Sequence, residues 1–311
     1  MADTEKTASN QPTLAARAAA LTRASACKSF DPFTSIDWSV PFDDSRYYLP
    51  PDSLPLYGTP AWQKMTELER RVYSRHEAAA LCGAGIWLEN ILMRMVVDHS
   101  YELLPNDATL RYLLVEVADE CRHSSMFGEF VRRAGTPAYR PTARIRRLGR
   151  VARGALGGPA AFIAILAAEE LLDGSNRRTM RDPTLHPVAR EIAKIHVIEE
   201  ARHVSFAKAF LEAELPKLTA ARRLLVQCVA PFVASTVVES TIDPRVFEEL
   251  GIEDGEQQAK NNAHYRETVL DDLESLVSFL ERISVITERT RPLWVRLGLA
   301  RPRTSSARLA A

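Results

Sequence analysis

The chain has 311 residues, more than one ordinary domain of ~100–200 but compatible with a single large one. Hydrophobic residues make up 46%, which supports a sizeable core and excludes global disorder. Lys+Arg and Asp+Glu both number 40, and so even a balance carries no footprint of a nucleic-acid binder.

Residues 1–30 are rich in Ala, Thr and Ser without a continuous apolar run, so they read as a flexible tail and not as a signal peptide. Residues 31–58 set Pro32, Pro41, Pro50, Pro51 and Pro55 among Trp38, Phe42, Tyr47 and Tyr48. Such a segment cannot be regular helix, and its aromatics should hold it over the core as an extended strap. Thr59-Pro60 offers an N-cap and a first helical position. A long helix is expected over about 67–102, and a second from a cap at Asn106 to Arg133, stopped by Gly135.

Residues 140–153 carry Arg140, Arg144, Arg146, Arg147, Arg150 and Arg153 with no acid. They read as a solvated crossover between two helix pairs or, more sharply, as a dock for an acidic partner. Pro159 opens a third long helix, to about Met180, and His186-Pro187 a fourth, to about Glu214. The apolar stretch around it, 155–172, is broken by Gly157, Gly158 and Pro159 and carries Glu169 and Glu170, so it reads as buried helix and not as a membrane span. Further helices are expected over 218–241 and 255–290, and residues 291–311 read as a basic tail. Strand-like alternation is scarce. The expected fold is all-α: residues 31–290 form one ferritin-like four-helix bundle with an N-terminal strap and additional C-terminal helices. Cys27, Cys82, Cys121 and Cys228 show no metal or disulfide spacing and fit reduced thiols in a cytoplasmic protein.

The chemistry lies in a duplicated motif. The second long helix contains Asp119-Glu120-Cys121-Arg122-His123, and the fourth Glu199-Glu200-Ala201-Arg202-His203. Residues i and i+3 share a helix face, so each Glu and His can serve one metal site from one side. Two further carboxylates, Glu89 and Glu169, sit in apolar runs where an unpartnered charge is costly. The same 31-residue interval separates Glu89 from Glu120 and Glu169 from Glu200. That is the ligand plan of carboxylate-bridged di-iron and di-manganese bundles. Asp119 and Glu199 are expected at the surface or as groups that orient the ligands.

His196 lies at i, i+4, i+7 with Glu200 and His203, on the same face, and is expected to be a third histidine ligand. The matching position in the first half is Glu116, so the repeat breaks there. Four glutamates balance two Fe(II) ions, and mixed carboxylate–imidazole ligation suits iron, with manganese as the alternative, better than structural zinc.

With its two Glu-x-x-His pairs, lone Glu89 and Glu169, and above all His196, the chain resembles the non-haem di-iron N-oxygenases that oxidise p-aminobenzoate and the arylamine of chloramphenicol biosynthesis. The resemblance covers about residues 31–290. It implies a homodimeric helical enzyme with two iron ions held by Glu89, Glu120, His123, Glu169, His196, Glu200 and His203. It also implies O2 as co-substrate and transfer of oxygen from a peroxo species to an amine, giving hydroxylamine, nitroso or nitro products. Electrons would come from an external donor, since no nicotinamide or flavin fingerprint is present. Where aminobenzoate-oxidising members place an Arg, a Tyr and an Asn around the substrate, this chain has Ala84, Leu81 and Asp173. The expected substrate therefore lacks a carboxylate near the amine or anchors it elsewhere. Competing readings are a di-iron hydroxylase or desaturase acting on carbon, and iron storage in the ferritin manner. No membrane association is expected.

Overall fold

The computed structural model describes residues 13–155 and 157–303, the side chains of 152–155 excepted. Among these residues the fold is helical without strands. The helices run in order as α1 (Leu14–Cys27), α2 (Pro32–Ser35), α3 (Pro60–Lys64), α4 (Glu67–Ser100), α5 (Ala108–Ala134), α6 (Ala143–Ala155) and α7 (Pro159–Arg181). They continue as α8 (Pro187–Glu214), α9 (Ala220–Ser240), α10 (Pro244–Glu249), α11 (Gly255–Asn261), α12 (Ala263–Asp272), α13 (Glu274–Arg282) and α14 (Arg291–Arg296). The four long helices pack chiefly as two pairs, α4 on α5 and α7 on α8, which is the ferritin-like arrangement.

Local chemistry sets their ends. Thr66 and Glu69 close a capping box at the start of α4, with Thr66 N donating to Glu69 Oε2 at 2.7 Å and Glu69 N to Thr66 Oγ1 at 3.3 Å. The cap of α5 is Asp107, one residue beyond the expected Asn106; its Oδ1 accepts from Thr109 N at 2.7 Å. Gly135 stops α5 in the left-handed region at φ 64°, where a Cβ would be strained. Pro159 and Pro187 occupy first helical positions as expected.

The strap lies on the core: Tyr48, Leu54 and Leu56 are fully buried, and the backbone N–H groups of Tyr48 and Leu49 donate to Ser74 Oγ of α4. Two expectations about the ends of the chain fail. Residues 14–27 are not a flexible tail but helix α1, which packs on α5 and α8 and buries Ala18 completely. The alanines that look like low complexity are the strongest helix formers, and their small side chains allow close approach. Residues 1–12 of that expected tail lie outside the described residues.

At the other end, residues 291–303 are no free basic tail. Trp294, in α14, is fully buried, and Leu299 nearly so. Arg301 pairs with Glu267 at 2.9 Å and Asp271 at 2.6 Å, and Arg303 with Glu288, so the arginines serve as ties. Residues 304–311, with Arg308, lie outside the described residues.

The single helix expected over 255–290 is instead α11, α12 and α13. Asn262 breaks it. Its Oδ1 caps α12 by accepting from His264 N at 3.0 Å, while its amide donates to the strap carbonyls of Pro55 (2.8 Å) and Tyr57 (2.9 Å). The arginine-rich crossover forms α6, which packs on α4 and α9; the side chain of Arg153 lies outside the described residues. Glu67–Ser100 and Ala220–Glu249 are long and apolar enough to cross a membrane. The first is nevertheless α4, a core helix carrying buried Glu77 and Glu89.

Glu77 supplies a stability prediction. Burial, partly offset by Tyr73 and reinforced by the Asp243 charge, pushes its carboxyl from 4.5 up to about 8. The folded value is raised, so the neutral acid is favoured in the fold. The cost of Glu77 is absent below the unfolded value, grows as pH rises through the interval, and is complete above the folded value. Glu77→Gln is expected to stabilise by on the order of a few kcal/mol at about pH 9 and to have little effect at about pH 4. Denaturant titrations at the two pH values check this; an equal shift at both would overturn it.

Candidate metal centre

Each long helix delivers its acids to one level of the bundle. α4 brings Glu89, α5 brings Glu116, Asp119, Glu120 and His123, α7 brings Glu169, and α8 brings His196, Glu199, Glu200 and His203. All are at most 3% exposed, so this is a charged cluster inside a core. The seven residues expected as ligands (Glu89, Glu120, His123, Glu169, His196, Glu200 and His203) all fall in groups of three whose ligand atoms lie within 4.8 Å of one another. Glu170, the next residue along α7, pairs with Lys208 instead.

The two Glu-x-x-His motifs meet crosswise. His123 Nδ1 lies 2.9 Å from Glu120 and 3.1 Å from Glu200, while His203 Nδ1 lies 2.9 Å from each of the same two glutamates. Both imidazoles thus turn Nδ1 inward. Their Nε2 atoms face the opposite motif: His123 Nε2 is 2.9 Å from Glu199 Oε2, and His203 Nε2 is 3.4 Å from Asp119 Oδ2. A carboxylate on the outer nitrogen fixes the tautomer and makes the inner nitrogen a better donor to a metal.

Asp119 and Glu199 are therefore not surface groups but buried groups that orient histidines, as the second of their two expected roles had it. They are held in turn by Arg202, 3.3 Å from Asp119 and 3.5 Å from Glu199, and by Arg122, which pairs with Asp119. Phe30 N, just beyond α1, donates to Glu199 Oε1 at 3.2 Å.

His196 sits differently. Its Nε2 points inward, 3.6 Å from Glu89 Oε1 and 3.8 Å from Glu200 Oε1, and has no hydrogen-bond partner. Its Nδ1 lies 3.1 Å from Asn176 Nδ2, so with the amide placed this way Nδ1 accepts. For Nε2 to offer a lone pair to a metal, Nδ1 must carry the proton and the Asn176 amide must turn over so that Oδ1 accepts it. Burial lowers His196 to about 4, which favours neutral imidazole. Asn176→Leu is expected to weaken metal binding by about 10–100-fold, with Asn176→Asp restoring most of it; chelator competition measures both.

Glu116, where the repeat breaks, also belongs to the cluster: it groups with Glu120 and His203. The i, i+4, i+7 spacing that singled out His196 applies equally to Glu116, Glu120 and His123. The remaining histidines lie apart with partners of their own: His76 with the Tyr139 hydroxyl, His186 with the Pro41 carbonyl, His264 with the Asp52 carbonyl, and His99 edge-on to Phe162 and Phe210.

The protein alone does not balance this cluster. Burial and the charges of Glu120 and Glu200 push Glu89 and Glu169 well above the usual carboxylate range. Burial raises Glu120 too, but the surrounding histidines bring it down to about 2. Glu89 Oε2, Glu116 Oε2 and Glu169 Oε2 are buried without a hydrogen-bond partner. Inward-facing carboxylate oxygens and a lone imidazole nitrogen are what hard or borderline cations bind. The donor set fits a pair of metal ions.

The model of the P-aminobenzoate N-oxygenase AurF family matches residues 11–284. The chain belongs to that family. Uncharacterized proteins of Mycobacterium bovis and Mycobacterium tuberculosis are 31% identical to it over 236 residues, covering 73% of this chain and 68% of each relative. The match to the AurF family runs through the four cluster-bearing helices and takes in α1, which the sequence alone left as tail.

The expected substrate positions do not share one place. Leu81 lines a cavity of about 70 Å³ that reaches His196, with Gly85, Phe127, Leu172 and Asn176. Ala84 is buried and Asp173 pairs with Arg177 at 2.6 Å; neither lines that cavity.

Proposed function

We propose that this protein is an O2-dependent di-iron N-oxygenase whose ligands are Glu89, Glu120, His123, Glu169, His196, Glu200 and His203. The observation that carries the reading is His196 Nε2, buried, unpartnered and turned into a four-carboxylate cluster inside an AurF-family chain. When bound, two iron ions supply O2 activation and oxygen transfer. Manganese fits the same donors, and metal analysis tells them apart.

The side chains do the rest. Glu120 and Glu200 lie between His123 and His203, where both carboxylates would help to hold the metal ions. Asp119 and Glu199 keep the outer imidazole protons away from the centre. Leu81, Phe127 and Leu172 give the cavity beside His196 apolar walls, with Ser175, Asn176 and Thr179 as its polar groups. For a first oxidation, one oxygen atom joins the amine nitrogen and the other leaves as water. Two electrons and two protons come from an external donor. The active species is expected to be a homodimer.

The test is ¹⁸O2 labelling of the iron-loaded protein with a panel of neutral amines and p-aminobenzoate. Label on nitrogen supports the reading. Label on carbon, or desaturation without label, points to carbon chemistry on the same centre. His196→Ala is expected to lower bound iron and abolish N-oxygenated product. Full iron content with unchanged product would remove the reason for choosing this reaction.

A further inference from the structure

A cavity of about 780 Å³, far larger than the one at His196, lies between α4, α6, α7 and α9. That volume is in the range of sites for small organic ligands. Its walls are apolar, with Trp87, Leu92, Ile165, Val229 and Phe232 among them, and Arg222 is the one charged side chain in its lining among the described residues. Ala160, Ala164 and Ala168 line it from successive turns of α7, and their small side chains leave the space open.

The cavity has a direction. α7, α8 and α9 follow one another up, down and up, so α7 and α9 begin at the same end. That end holds Gly158, Pro159 and Arg222. It carries Arg222, an exposed residue at the mouth of the cavity, and the positive end of the α7 peptide dipoles. From Ala160 to Ala168 the walls run roughly 12 Å along the helix. On α4 and α7 the lining reaches Leu88 and Ala168, the sequence neighbours of Glu89 and Glu169, and on α9 it continues to Val237. The rim is exposed and apolar: Val151, Leu225 and Phe232 are more than half exposed.

We infer that this cavity binds a medium-chain carboxylate, its head on Arg222 and its apolar tail running toward the level of the metal centre. A neutral apolar molecule would gain the walls but leave Arg222 unused. A short polar one would leave the walls wet. The inference stands whichever reaction the centre runs.

Trp87, in the wall, is the reporter. Undecanoate brominated on its terminal carbon, added to iron-loaded full-length protein below its micelle concentration, is expected to quench tryptophan fluorescence saturably. Trp87→Phe should lose most of the quenching but keep the calorimetric heat of undecanoate binding. Arg222→Glu should weaken undecanoate by about tenfold or more, as loss of a charge-assisted contact implies, and leave undecanol unchanged. Ala164→Trp should block both ligands; if it does not fold, Val229→Trp serves the same purpose. Absence of saturable binding, equal effects of Arg222→Glu on acid and alcohol, or undiminished binding in a folded cavity-filled variant would overturn the proposal. So would a dimer that covers the rim and excludes the probe.

Discussion

Glu169→Gln is expected to lower the affinity for ferrous iron by more than ~100-fold while making the metal-free protein more stable. Outer partners of metal ligands are typically worth 10–100-fold in affinity, and a carboxylate placed to bind directly should exceed that. The gain in the metal-free fold follows from crowding. Glu169 is 3% exposed, its Oε2 has no hydrogen-bond partner, and it shares one pocket of space with Glu89, Glu120 and Glu200. Without cations these carboxylates repel one another where water cannot screen them. This crowding holds the Glu169 carboxyl well above the usual range, so near neutral pH the metal-free fold must take up a proton there, a cost that a neutral amide of the same shape removes. Calorimetry with and without iron reads both effects, at roughly 1.5 °C in Tm for each kcal/mol in a chain of 311 residues. A side chain placed only for packing would give a loss or no change in both states, and that result would sink the assignment of Glu169.

Trp294→Ala is expected to destabilise by about 3–5 kcal/mol, the usual cost of deleting a large buried aromatic. Trp294 is completely buried in the same core cluster as Phe206, Phe210 and Leu276, so α14 closes the bundle from the carboxyl-terminal side. Urea unfolding of the metal-free variant measures the loss. A change under about 1 kcal/mol would mean that residues 291–303 contribute little to the fold.

Much of the centre was legible in the sequence because helical geometry is local. Glu120 with His123, and Glu200 with His203, follow from i, i+3 spacing alone, and the equal intervals back to Glu89 and Glu169 tie four helices to one site. Asp119 and Glu199 were harder to read. Each precedes a proposed ligand by one residue, about 100° around the helix, a direction that ordinarily meets solvent. Here it meets an imidazole of the neighbouring helix, which no local pattern announces. Glu116 was within reach of the arithmetic that found His196, but as a carboxylate in the place of a histidine it looked like the end of the pattern. The chain ends were misread for a compositional reason. An alanine-rich or arginine-rich segment is helix or tail according to whether a groove awaits it, and that is a property of the whole fold.

The crosswise bonding of His123 to Glu199 and His203 to Asp119 has a consequence for how the two halves can vary. Each half supplies the group that sets the tautomer of the other half's histidine. Neither helix pair carries a complete set of instructions for orienting its own histidine. Polypeptides 13–142 and 157–303, made separately, should each fail to retain iron and should regain it only when combined. Loss of the acid at position 119 should likewise be felt at His203, on the opposite helix, before it is felt at the histidine four residues along its own.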